Sequence, residues 1–389
     1  MLYKIASIGI LLRIIMYHWF PIQPIPHISS PYTDYKNALE GLSYLSLGLS
    51  PYYSDSPVHT PPLILWLFSL MPSQHIIFGL ILSADLLNSI YIYLITKSKL
   101  AFSIYLVNPI SIISTSSMSL SSFIHLAILT FGYFTLERRR LRAVFAISFL
   151  SYLDPCMLSI SSLWYFNHFT KRIYILAFLM TFSLFSASYA LFGETWDWLW
   201  SCQIAQLLNY DIKPNIGMAW YLILEMFKRY QFLYRVILAI HPWLYIYPLH
   251  CLLHKYSKYS MYKNTSNLYF CILYLICVVS HPHPTMEDFM IPFILISTHG
   301  ELIMRVKSGF FTVTAGVIGV ILSIAMWGMW TERVGGNANF LFFQTIFTNL
   351  MIFGFLFGLL HQVNEEIKMK KHQITCKTIV EEVVLSILK

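Results

Sequence analysis

Residues 30–62 read SPYTDYKNALEGLSYLSLGLSPYYSDSPVHTPP, a polar, proline-punctuated stretch in a chain that is otherwise largely apolar. Before it lies an apolar run over 2–20, and beyond it apolar runs recur to residue 361. That contrast decides the fold. Of 389 residues 57% are hydrophobic, 17% aromatic and only 11% charged, against about 25% charged in soluble domains. So few charges cannot cover a globular surface, and lipid must be the main solvent. The expectation is an all-α, polytopic transmembrane helical bundle. Within the quoted stretch, Ser30-Pro31 predicts a helix start, with serine as cap and proline in the first turn. Ala38, Leu39, Leu42, Leu45 and Leu49 then recur at helical spacing and predict an amphipathic surface helix.

Working outward, the apolar runs predict about twelve spans: 2–20, 75–96, 100–116, 119–136, 141–153, 155–168, 173–192, 231–252, 266–280, 284–303, 309–330 and 340–361. A full crossing needs about 20 residues, and several of these are shorter. The pairs meeting at Asp154-Pro155 and at His281-Pro282-His283-Pro284 read as broken helices, because proline removes a donor and disfavours helix in the residue before it. The first run contains Arg13 and lacks a small-residue cleavage site, so it reads as a signal anchor.

The net charge of +8 would suggest nucleic acid in a soluble protein. Here the basic residues follow topology instead, and no nucleic-acid partner is expected. Threading puts Lys97, Lys99, Arg138, Arg139, Arg140, Arg142, Lys171, Arg172, Lys255, Lys258, Lys263, Arg305, Lys307, Lys368, Lys370 and Lys371 on one side. The other side receives Lys36, Lys213, Lys228, Arg229 and Arg333. The positive-inside rule makes the first side cytosolic, with both termini there. The organisation expected is one transmembrane bundle over 1–361, with lumenal segments 21–74, 193–230 and 331–339, and a cytosolic tail over 362–389. An apolar stripe in that tail, Ile379, Val383, Val384 and Ile387, suits an amphipathic helix. Trp196, Trp198 and Trp200 fit an aromatic belt, and the sequon at Asn264 falls on the cytosolic side.

The residues offer little visible chemistry. Asp34 sits at a helix start, where it complements the helix dipole. His59 reads as an interfacial hydrogen-bonder. His281 and His283 could begin a metal site with Glu287 and Asp288, but three or four ligands must converge; no metal and no cofactor is expected. Asp85, Asp154, Glu225 and Asp288 are ionisable groups within or beside spans and should face the bundle interior. The six cysteines form no CxxC pair, and none has a nearby histidine in the manner of a thiol hydrolase. They read as small buried hydrophobes.

Six passages together resemble the PIG-U family, a subunit of the glycosylphosphatidylinositol (GPI) transamidase. They are EGLSYLSLGLSPYYSDSPVHTPPLILWLF (40–68), YLVNPISIIS (105–114), SYLDP (151–155), KPNIGMAWYLILEMF (213–227), HPHPTMEDFMIPF (281–293) and GNANFLFF (336–343). The resemblance implies a GT-C-like bundle in the endoplasmic-reticulum membrane and a non-catalytic subunit. That subunit would bind and present the GPI lipid for attachment to the C-terminus of secretory proteins. It also implies partners: a thiol-protease-like catalytic subunit carrying the nucleophilic cysteine, and accessory membrane subunits. The alternative is a GT-C, polyprenyl-phosphate-mannose-dependent mannosyltransferase using Asp34. However, Lys36 occupies the position where a second carboxylate would stand. A transporter, which broken helices also permit, is a third reading.

The candidate lipid site lies in TERVGGNAN, 331–339. Gly335-Gly336 allows a tight turn and close approach of a ligand. Asn337 and Asn339 offer neutral donors and acceptors suited to sugar hydroxyls and a phosphate, and Phe340 begins an aromatic segment suited to acyl chains. The resemblance adds Asn215 and His59 to these three. No catalytic residue is assigned.

Overall fold

A computed structural model describes residues 2–19, 27–53, 56–192, 195–259, 264–333 and 335–387, with side chains as far as residue 373. The described secondary structure is helical throughout. In chain order it comprises α1 (Leu2–Trp19), α2 (Tyr35–Ser46), α3 (Pro62–Ser69), α4 (Gln74–Thr96), α5 (Lys99–Val107), α6 (Pro109–Ser116), α7 (Ser121–Leu136) and α8 (Arg140–Leu153). There follow α9 (Ser162–Phe166), α10 (Lys171–Leu191), α11 (Ala205–Leu207), α12 (Ala219–Glu225), α13 (Lys228–Leu244) and α14 (Ile246–Tyr259). The chain closes with α15 (Thr265–Val279), α16 (Met286–Ile296), α17 (Gly300–Ile303), α18 (Gly309–Thr331) and α19 (Ala338–Ile387).

Five stretches among the described residues are long and apolar enough to cross a membrane: Gln74–Thr96, Lys171–Leu191, Lys228–Tyr259, Gly309–Thr331 and Ala338–Gln373. Ser121–Leu136 and Thr265–Val279 are shorter apolar helices. Several of the expected spans are interrupted. The expected span 100–116 is two helices parted at Asn108-Pro109, where the Asn108 side chain accepts from the Ile110 amide at 2.9 Å. The expected span 155–168 is a 3-10 turn, Pro155–Ser161, followed by the short α9. The expected span 284–303 divides into α16, a 3-10 turn and α17. The chain therefore breaks at Asp154 and at 281–284, as the prolines require.

α15 lies at the centre, buried on nearly every side, as a helix hydrophobic all round must be. α7 meets it at Gly132, where a Cβ would fall 2.3 Å from Phe270 Cζ. α7 also packs on α4 and α8, α10 lies on α8, and α1 lies against α5 and α6. α18 and α19 pair as an antiparallel hairpin, and α19 also lies along α14. α19 runs without a break past residue 361; the side chains of the stripe Ile379 to Ile387 are outside the described residues, as are residues 20–26 and Lys263.

Several local expectations are corrected. α2 begins at Tyr35, not after Ser30, because Asp34 is extended and its carboxylate accepts from the Lys36 amide at 3.1 Å. Its buried face is Tyr35, Ala38 and Gly41, with Leu42 and Leu45 partly covered. Leu39 is exposed, and Leu49 lies beyond the helix end and is exposed as well. Trp198 is fully buried against Tyr152 and Phe185, so only Trp196 and Trp200 are available to a belt. Glu225 is exposed at the end of α12, unlike Asp85, Asp154 and Asp288, which are buried.

Arg13 pairs with Asp85, Nε to Oδ2 at 2.7 Å, both side chains at 0% exposure. Arg13 also donates to the carbonyls of Gly9 and Leu106 and to Ser111. Asp85 accepts in turn from the Tyr105 hydroxyl at 2.6 Å. A second cluster joins His125 to Asp288 at 2.6 Å, with Glu287 accepting from Ser114 at 2.5 Å, Ser121 at 3.2 Å and Tyr105 at 3.2 Å. Buried ions persist only when partnered in this way. These two clusters fix α1, α4, α5, α6, α7 and α16 to one another.

Candidate functional site

Four segments distant in sequence converge on one face: 27–62, 199–226, 281–286 and 335–349. The His27 carbonyl accepts from the Met286 amide at 2.9 Å, and Thr33 accepts from the Leu120 amide at 2.8 Å. The Ile216 carbonyl accepts from Asn349 Nδ2 at 2.8 Å, tying the 213–227 segment to α19. Gly217 packs on Pro284, where a Cβ would come within 2.8 Å of the proline ring.

Beneath this face is a buried polar core. Asn215 Nδ2 lies 3.1 Å from His283 Nδ1 and also donates to the Lys213 carbonyl at 3.0 Å, while its Oδ1 accepts from the Gly217 amide at 2.7 Å. His59 is buried, its Nδ1 2.8 Å from the Ser201 carbonyl and its Nε2 3.4 Å from Asp211 Oδ2. Lys213 reaches the same carboxylate at 3.0 Å. Burial would raise the Asp211 pKa, but the His59 hydrogen bond and the Lys213 charge outweigh it and hold it at about 2. The Tyr32 ring bridges the two histidines, 4.6 Å from His59 and 5.3 Å from His283 between centroids. Burial, reinforced by neighbouring His281, pushes His283 down to about 3, so it is a neutral imidazole.

The outer edge differs in character. Asn337 and Asn339 are both exposed at the start of α19. Asn337 Oδ1 accepts from the Asn339 amide at 3.2 Å, and Asn339 Oδ1 accepts from the Tyr221 hydroxyl. Each side-chain oxygen is thus engaged within the protein. Neither Nδ2 has an acceptor among the described residues, so two amide donors stand free at the surface. The Tyr221 ring stacks on Phe342 at 4.2 Å, and Phe340 and Phe343 are largely exposed. Of the expected glycines, Gly336 carries the steric demand: a Cβ there would lie 3.1 Å from the Trp330 amide nitrogen.

The structure therefore divides the five sequence-derived site residues. Asn337, Asn339 and Phe340 are presented at the surface, while His59 and Asn215 form the buried foundation. Tyr221 was not singled out, although it lies inside the most distinctive string. The expected grouping of His281 and His283 with Glu287 and Asp288 is not formed. His281 turns to Asp154, Nε2 to Oδ2 at 3.1 Å, His283 turns to Asn215, and the two acids turn to His125.

One cysteine does have a histidine nearby, contrary to the sequence reading: the ligand atoms of Asp154, Cys156 and His281 lie within 4.8 Å of one another. The geometry is not that of a thiol hydrolase, where the histidine places its two nitrogens on different partners, nucleophile and orienting acid. Here Nδ1 accepts from the His283 amide at 3.1 Å, which leaves Nε2 alone to face both Asp154 and the thiol. Asp154 Oδ1 is itself engaged by the Cys156 amide at 3.0 Å. The cluster holds the chain at its proline break.

Comparison with known proteins matches most of the chain. A family model described as GPI transamidase subunit PIG-U matches residues 7–348. GPI transamidase component GAB1 of Saccharomyces cerevisiae is 25% identical over 361 residues, covering 87% of this chain and 88% of that protein. GPI-anchor transamidase component PIGU of Homo sapiens is 23% identical over 379 residues, 83% of each chain. The GPI transamidase component GAB1 homolog of Schizosaccharomyces pombe is 23% identical over 393 residues, covering 89% of this chain and 91% of that one.

Proposed function

The chain belongs to the PIG-U family of GPI transamidase subunits, and from that premise we propose that it is the non-catalytic subunit that binds the GPI lipid and presents it for attachment to secretory proteins. The observation that carries this reading is the pair of free amide donors on Asn337 and Asn339, braced by Tyr221 and flanked by exposed Phe340 and Phe343. Neutral donors suit sugar hydroxyls and phosphate oxygens, and the aromatic rings suit the acyl chains below them. His59 and Asn215 act through the buried core, holding the 213–227 segment in place rather than meeting the lipid.

The setting is the endoplasmic-reticulum membrane, in a GT-C-like bundle of about twelve full or broken spans with both termini in the cytosol. The segments 21–74, 193–230 and 331–339 face the lumen, where a protein substrate's C-terminus arrives. The partners are a thiol-protease-like catalytic subunit and accessory membrane subunits. The mannosyltransferase alternative is disfavoured by Asp34, whose carboxylate caps α2 beside Lys36.

Affinity purification of the tagged chain tests the assignment. Co-purification of a thiol-protease-like subunit, together with loss of GPI attachment when the chain is depleted, is the expected result. Isolation without such a partner, with loss of a GPI mannose instead, would reject it.

A further inference from the structure

Beside Ala219 lies a small, partly open cavity that the headgroup reading does not use. Cys156, Asn209, Ala219, Arg235, Ser280 and Pro282 are among the residues that line it, and it leaves about 30 Å³ for the centres of water-sized groups. A single water needs about 10–15 Å³ on that measure, so the space suits a few non-hydrogen atoms.

Its polar lining is unmatched. Asn209 is 3% exposed, and neither its Oδ1 nor its Nδ2 has a hydrogen-bond partner. Its backbone is left-handed, φ 50°, just beyond α11. The Tyr32 hydroxyl, on the neighbouring loop, is also buried and unpartnered. Burial first, then the charges of Asp211 and Cys156, raise its pKa well above the ordinary value, so it stays a donor.

Arg235 is 7% exposed and has no carboxylate within 4.0 Å among the described residues. Its Nη1 serves the carbonyls of Leu208 and Asn209, and its plane lies 4.7 Å over the Tyr210 ring. Its Nε and Nη2 donate to nothing in the described protein. The nearby carboxylates are already taken, Asp211 by His59 and Lys213, and Asp154 by His281. A buried guanidinium without a counter-charge is costly, and two forked nitrogens match the oxygens of a phosphate.

We propose that this cavity is a phosphate-binding subsite in which Arg235 and Asn209, which line it, take a phosphate group, either borne by a lipid headgroup or free, with the unpartnered Tyr32 hydroxyl of the loop outside the lining as a further donor. The lipid-borne case rests on the headgroup reading above; the free-anion case does not.

The test uses the assembled complex in detergent and in nanodiscs, carrying wild-type chain, Tyr32→Phe, Asn209→Gly or both. Glycine keeps the left-handed backbone at 209 and removes only the amide, and phenylalanine removes only the hydroxyl. Inorganic phosphate and O-phosphoethanolamine are titrated by thermal shift and calorimetry, and phosphatidylinositol is tested in nanodiscs against phosphatidylcholine alone. Loss of these charge-assisted bonds should weaken binding roughly tenfold or more. Binding of the soluble anions that the double variant loses identifies a free-anion site. Stabilisation by phosphatidylinositol alone, lost in the same variant, identifies a lipid phosphate. Absence of any shift in wild type, or equal binding by wild type and double variant, overturns the proposal. Asn337→Leu with Asn339→Leu should leave phosphate binding intact, which separates failure of this subsite from failure of the headgroup site.

Discussion

The Tyr221 hydroxyl donates to Asn339 Oδ1, joining two segments 118 residues apart in the chain. It does more than link them: it occupies the Asn339 oxygen and leaves the amide nitrogen without an acceptor among the described residues. Tyr221→Phe keeps the ring stacked on Phe342 but frees that oxygen to rotate. The expected outcome is an unchanged melting temperature and complex yield with GPI attachment reduced several-fold, read by surface display of a GPI-anchored reporter. Normal display would remove Tyr221 from the site.

Arg13 and Asp85 form an ion pair within the helical bundle at 0% exposure. Arg13→Met strands a buried carboxylate whose remaining partner is the Tyr105 hydroxyl. Losing one member of such a pair costs about 3–5 kcal/mol. The variant should accumulate poorly and fail to enter the complex, as judged by steady-state level and co-purification. Normal abundance would show the pair to be dispensable.

Acidification should destabilise the polar core through His283. Its folded pKa of about 3 lies below the unfolded value of 6.5, so its contribution is complete above 6.5 and is lost as pH falls toward 3. At pH 5 the loss from this group is roughly 2 kcal/mol. His27, held down to about 4 by burial, acts in the same window and adds to the total. Burial opposes charging His281, yet Asp154 beside it raises its pKa well above 6.5, so its contribution is complete below 6.5, falls as pH rises above it, and partly offsets the loss from His283 and His27 on going from pH 7 to pH 5. The Asp211 contribution is lost only below 3.8, toward 2. Thermal melts of the complex at pH 7 and pH 5 should therefore differ less for His283→Gln than for wild type. Equal differences would contradict a neutral, buried His283.

Asp34 caps α2 through the Lys36 amide. Asp34→Ala should cost about 1 kcal/mol, the usual worth of an N-cap, and leave both GPI attachment and GPI mannosylation unchanged in cells carrying only the variant. Selective loss of a mannose would restore the glycosyltransferase reading.

Much of this was legible in the sequence, and the limits have physical causes. Apolar runs and prolines gave the helical class and the breaks at Asp154 and 281–284. Hydropathy alone does not show where a span is one long helix and where it is broken into short pieces buried by their neighbours, as at α5, α9 and α16. The expected face of α2 erred at Leu39 and Leu49 because its start was placed before the Asp34 cap. The polar string around Asn337 and Asn339 agrees with their exposure, but the burial of His59 and Asn215 was not legible. Burial and partners such as Asp211 and His283 depend on contacts made across more than a hundred residues of chain or nearly seventy. Arg13 was read as lying within the first apolar run but without a partner, since Asp85 lies 72 residues away.

The most direct test of the central claim is the amount of GPI lipid retained by the purified complex, quantified by mass spectrometry for wild type and for Asn337→Leu with Asn339→Leu. The expected result is an intact complex with its full set of subunits and GPI reduced at least tenfold, since two exposed amide donors have been replaced by side chains that cannot donate. Wild-type levels of bound GPI in an assembled double variant would contradict the assignment of the lipid headgroup to this face.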